Sequence, residues 1–156
     1  MSSDSKEYFS ELLEFIIPTA PEHFLKLALQ PLLQLDDNNY FLQNLLLKEK
    51  LKLFENLSNF FSPTSSISCS NFELILTILV NLTAIKELTF SNFLINSNKV
   101  IPKCMDLIIE NDNNCSTLAI KLFCNLSRQF PKQFANKLIA QDPNFGSKLI
   151  GLFFIN

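Results

Sequence analysis

His23 is the one imidazole in 156 residues, and the sequence sets no carboxylate or nucleophile to work with it. A lone histidine of this kind is usually a surface group rather than a proton shuttle. The four cysteines, Cys69, Cys104, Cys115 and Cys124, form no C-x-x-C pair and no zinc spacing with His23. They read as reduced, partly buried thiols, with Cys104 and Cys124 in apolar helical runs where free cysteine behaves as a small hydrophobe. There is no Gly-rich phosphate loop, no nucleophile elbow and no metal-ligand cluster. An enzyme is not expected, and no metal or cofactor is implied.

The chain does offer hydrogen-bonding side chains in register. Glu73, Thr77 and Asn81 recur every four residues, and Thr117, Lys121 and Asn125 repeat the pattern 44 residues later, with Arg128 at the edge. On a helix that spacing draws a polar line along one face. Two such lines laid side by side form the candidate protein-binding groove, able to bond to the backbone or side chains of an extended partner segment. A second role fits the same residues. The two asparagines can instead bond locally where their helices end, leaving Glu73, Lys121 and Arg128 as a solvated face.

Helices must position these groups, and the apolar spacing predicts them along the whole chain. The first covers 5–17 and ends at Pro18; the second covers Pro21 to Leu35 and is kinked by Pro31; Asp36 to Asn39 makes a turn. Tyr40 to Leu47 and Lys48 to Phe61 follow, then a loop from Ser62 to Ser68. Ser70 with Glu73 predicts a capping box opening a helix to about Leu82. That helix is apolar all round except for the line Glu73, Thr77 and Asn81, so it belongs at the centre of a stack. A short helix near Ile85 to Ile95, a turn at Asn96 to Asn98 and a helix from Val100 to Ile109 complete the unit. The order then repeats: a turn at 111–114, Cys115 to Ser127, Pro131 to Ile139, a turn at Asp142 to Asn144, and Phe145 to Phe154.

The repetition defines the expected fold. Asn81-Leu82-Thr83 returns as Asn125-Leu126-Ser127, and the same shift superimposes Phe90 on Phe134, Leu94 on Leu138 and Met105 on Leu149. A period of 44 is that of helical solenoids, whose units bury their apolar faces only by stacking. Three helices per unit, one of them short, favours the armadillo arrangement over the two-helix HEAT one. The expectation is an all-α, armadillo/HEAT-like right-handed helical solenoid in one domain, 1–156, with units at about 20–66, 67–110 and 111–156. Asn56-Leu57-Ser58 lies only 25 residues before Asn81, breaks the period and is taken as coincidental.

Composition narrows the partners. A chain of this length hides roughly 70% of its unfolded surface in one core. The apolar fraction of 47% includes 16 Phe and no Trp, and only 2 Gly argue against tightly turned sheets. A net charge of −2, with no basic stripe, makes nucleic acid an unfitting partner. The most apolar stretch, Leu74 to Leu82, is about half of the roughly 20 residues a membrane span needs. The opening Met1 to Glu7 lacks the pattern of a signal peptide, which points to the cytosol or nucleus and leaves the N-x-[ST] triplets at Asn56, Asn81, Asn114 and Asn125 unglycosylated. Adjacent Phe60 and Phe61, Phe54, and adjacent Phe153 and Phe154 suggest core, or alternatively a carrier cavity for apolar small molecules. The apolar ending, where a solenoid needs a polar cap, predicts either a fragment of a longer solenoid or a face that meets a partner or a second copy.

The chain resembles the HGH homologue family of armadillo cochaperones. The resemblance is carried by Glu11-Leu12-Leu13-Glu14-Phe15, by Leu79-Val80-Asn81-Leu82-Thr83, and by Phe123-Cys124-Asn125-Leu126-Ser127-Arg128 followed by a short helix. It covers nearly all of this chain and only the N-terminal portion of such a family protein. It implies a cytosolic adaptor that helps fold translation elongation factor two with the cytosolic chaperonin and the ninety-kilodalton heat-shock chaperone, and it transfers no site residues. A generic armadillo adaptor of another pathway is the alternative. The importin-α proteins place Trp four residues before the groove asparagine, where this chain has Thr77 and Lys121, so nuclear-localisation peptides are disfavoured.

Overall fold

The structure, a computed structural model, describes residues 3–111 and 114–155, with side chains over 7–111 and 114–151. Its helices are α1 (Ser3–Glu14), α2 (Glu22–Leu29), α3 (Tyr40–Gln43), α4 (Leu47–Ser58), α5 (Cys69–Ala84), α6 (Thr89–Ile95), α7 (Val100–Glu110), α8 (Asn114–Gln129), α9 (Pro131–Gln141) and α10 (Phe145–Ile155). Tight 3₁₀ turns extend α2 over Gln30–Gln34 and α4 over Asn59–Phe61. There is no strand among the described residues.

Local chemistry sets the boundaries. Pro31 cannot donate a backbone hydrogen bond, and the chain tightens from α2 into a 3₁₀ turn there. Asn39 caps α3 by accepting from the Leu42 amide at 3.0 Å. The helix expected to reach Leu47 stops at Gln43. Asn44 donates its side-chain amide to the Tyr40 carbonyl at 2.7 Å, and Leu46 turns extended to begin α4, its amide held by Glu49 at 2.7 Å. Asn111 takes the left-handed conformation, φ 48°, that closes α7. Asp112 and Asn113 of the expected turn lie outside the described residues. Pro131 occupies the first turn of α9, where its missing donor costs nothing.

The expected capping box at Ser70 and Glu73 does not form. Ser68 caps α5 instead, its hydroxyl accepting from the Asn71 amide at 3.3 Å, and the helix opens at Cys69. Glu22 decides this choice: its carboxylate accepts the Ser68 amide at 2.6 Å, and its carbonyl accepts Asn71 Nδ2 at 3.1 Å. The start of α5 is thus fastened to the start of α2.

α5 is the central element. α2 and its 3₁₀ extension pack on it from one side and α8 from the other, so Ile75, Leu76, Ile78, Leu79 and Leu82 are fully buried. Burying each such side chain contributes about 1.5–3 kcal/mol. α5 and α8 run parallel: Asn114 at the start of α8 reaches Glu73, and Asn125 near its end reaches Val80 and Thr83. α6 packs on α9, and α7 packs on α10 as well as on α8. Each helix of 69–110 therefore touches its counterpart in 114–155.

The phenylalanines are mostly packing groups. Phe54 and Phe93 sit 5.7 Å apart between ring centres, Phe61 and Phe72 4.9 Å, and Phe123 and Phe134 4.9 Å edge-on. The side chains of Phe153 and Phe154 lie outside those described. No described helix is long and apolar enough to cross a membrane.

Candidate functional site

The two polar lines lie on the parallel helices α5 and α8, and most of their groups already have intramolecular partners. Thr77 returns its hydroxyl to the Glu73 carbonyl of its own helix at 2.8 Å, the usual back-bond of a mid-helix threonine. The Glu73 carboxylate receives Asn114 Nδ2 at 3.5 Å, a long contact that joins the starts of α5 and α8. Thr117 and Lys121 are exposed on α8.

Asn125 bonds neither locally nor outward with its amide nitrogen. Nδ2 donates to the Val80 carbonyl at 3.2 Å and to Thr83 Oγ1 at 3.1 Å, both on α5, while Oδ1 accepts Arg128 Nη2 at 3.1 Å. Gln129 adds a bond to the Thr83 carbonyl at 2.6 Å. Together they stitch the end of α8 to the last turn of α5, where the final carbonyls lack helical partners. The same device holds the first triplet: Asn56 Nδ2 donates to the Leu13 carbonyl of α1 at 3.0 Å, 43 residues upstream. Asn56, whose triplet falls outside the 44-residue period, bridges α4 and α1 as Asn125 bridges α8 and α5.

Asn81 is placed differently. It is half-buried on the wall of a cleft of about 250 Å³ between α5 and the segment after the 3₁₀ turn, together with Leu33, Leu35, Asp36 and Asp37. Asp37 is engaged nearby, accepting the Lys86 amide at 2.9 Å. Asn81 and Asn125, equivalent in sequence, thus occupy unlike surroundings.

A larger cleft, about 460 Å³, opens between α8, α9 and α10 and is walled by Ile120, Phe123, Phe134, Leu138, Phe145 and Leu149, with Arg128 at its rim. Cys124 also borders it; the apolar run around Cys124 implies burial, but its thiol is exposed, with no helix among the described residues covering that side of α8. Burial drives the Cys104 thiol far above its ordinary range, and burial, the Glu73 carboxylate and Cys69 raise that of Cys115. A thiol held protonated is a poor nucleophile. His23 is exposed beside the Phe24 ring at 5.9 Å.

One ion pair escapes sequence inspection. Lys50 is buried, and its ammonium meets both oxygens of Glu87 at 2.9 and 3.0 Å, tying α4 to the loop before α6. Thr89 also donates to Glu87. Lys50 follows charged Lys48 and Glu49 in the sequence, and nothing local separates it from Lys48.

No protein-family model, no curated protein and no solved structure matches this chain.

Proposed function

We propose that this chain is a non-catalytic protein-binding scaffold of the armadillo-like solenoid type. The observation that carries the proposal is the contact of α5, α6 and α7 with their counterparts α8, α9 and α10 at a near-constant sequence offset. Stacking of that kind leaves long ridges and grooves on the outside, surfaces that bind proteins. The exposed Thr117 and Lys121 with half-buried Asn81 are the groups of the two polar lines best placed to meet a partner, whereas the amide of Asn125 is committed to α5.

The resemblance in Leu79 to Thr83 and Phe123 to Arg128 makes translation elongation factor two, with the cytosolic chaperonin and the ninety-kilodalton chaperone, the first partner to test, and the cytosol the first compartment. Affinity capture of the tagged chain from eukaryotic cytosol, with mass spectrometry of the retained proteins, is the experiment. Recovery of elongation factor two with chaperonin subunits is the expected result. A different stable partner keeps the scaffold and removes the cochaperone assignment, and retention of nothing removes both.

A further inference from the structure

The cleft between α8, α9 and α10 has an internal counterpart that is already filled. Shifting its lining residues back by 44 gives Leu76 for Ile120, Thr83 for Ser127, Phe90 for Phe134, Leu94 for Leu138 and Met105 for Leu149. All five upstream residues are buried, Leu76, Thr83 and Leu94 at 0% exposure. α8 lies across α5, α6 and α7 and touches all three. In the downstream groove Ile120 is 38% exposed, Ser127 is exposed, and Leu138 and Leu149 are half-buried. The molecule thus contains one groove with its helix in place and a second, similar groove without one.

The filled groove also specifies what its occupant must carry. α8 presents Ala119, Leu122 and Leu126, all fully buried, and fixes its register with Asn125 on the Val80 carbonyl and Thr83 hydroxyl and Gln129 on the Thr83 carbonyl. Downstream the matching acceptors are the carbonyl of Cys124 and the hydroxyl and carbonyl of Ser127, and the exchange of Thr83 for Ser127 retains the hydroxyl. We propose that the groove bounded by α8, α9 and α10 docks an amphipathic helix of a partner protein, about four turns long, with a small-and-leucine face and an asparagine followed four residues later by glutamine. This rests on the scaffold reading and assigns that scaffold a docking site. Helix-in-groove recognition of this kind is anchored by apolar residues at spacings of three and four.

The probe is a helix-constrained, fluorescein-labelled peptide copying residues 114–129, titrated with the full chain and read by anisotropy. Saturable one-to-one binding is expected, weakened roughly tenfold when the peptide carries Asn125→Ala, the equivalent of about two modest hydrogen bonds. In the full chain, Ile120→Glu charges the floor of the groove, and Ser127→Tyr obstructs it; both replace exposed side chains, circular dichroism checks that each variant is folded, and both should abolish binding. Absence of saturation up to about 100 μM of the full chain, or binding unaffected by both variants, overturns the proposal. Dimerisation of the chain that Ile120→Glu abolishes assigns the groove to a second copy and overturns it too. The scaffold reading fails separately: a wild-type chain that retains no cytosolic protein defeats it, whereas variants that still retain the wild-type partners defeat only the groove assignment.

Discussion

At the scale of residues, two pairs of polar groups that look alike in the sequence differ in consequence. Asn125 holds α8 to α5 through two bonds, whereas Asn81 stands on the wall of a cleft. Asn125→Ala should cost about 1–2 kcal/mol, because it removes both bonds by which Asn125 holds α8 to α5, and Asn81→Ala should cost less than about 0.5 kcal/mol. Urea denaturation of the two variants measures the contrast. Lys50 and Glu87 divide in the same way. The Lys50 side chain is 8% exposed and that of Glu87 54%, so Glu87→Gln strands a buried ammonium and should cost about 1–2 kcal/mol, while Lys50→Met keeps the packing and should cost less than about 1 kcal/mol. Thr89 and then Lys50 hold the Glu87 carboxyl below its ordinary 4.5. A folded-state value below the unfolded one makes the contribution fully present above pH 4.5 and lost as pH falls through the lowered value. Acid titration of the folded fraction should therefore show wild type losing its advantage over Glu87→Gln below that pH.

At the scale of elements, the helix ends were the least legible part of the sequence and the most dependent on remote chemistry. The local pattern of Ser70 and Glu73 predicts the cap of α5, and the structure puts it at Ser68 instead. Ser68 prevails because Glu22, 46 residues upstream, takes its backbone amide. Ser68→Ala should destabilise the protein by about 1 kcal/mol and Ser70→Ala by less than about 0.3 kcal/mol, a difference that paired thermal unfolding curves resolve. At Pro31 and Pro131 sequence and structure agree, whereas the first helix, expected to run up to Pro18, already ends at Glu14. Pro31 breaks α2, and Pro131 opens α9, because a missing amide hydrogen acts the same way in any surroundings.

At the scale of the whole molecule, stability should be graded from the centre outward. α5 is covered on both sides, while α9 buries only Phe134 among its described side chains and exposes Ile139, and α10 exposes Ile150. Hydrogen exchange should find the slowest amides in α5 and the facing part of α8, with opening free energies in α9 and α10 lower by about 2 kcal/mol or more; uniform protection would contradict this ordering. The sequence by itself determined the helical class, the order and approximate extent of nearly every helix, and the repetition at 44 residues, since apolar periodicity and proline report on the local backbone whatever surrounds it. Tertiary structure alone decided that Asn125 and Asn56 are stitches, that Lys50 is buried, that Ser68 is the cap, and that Ile120 and Ser127 border an open groove while Leu76 and Thr83 lie covered. Burial and hydrogen-bond pairing depend on which helix lies across a given face, and that helix comes from some 40 or more residues away, beyond any window over which side-chain spacing carries information.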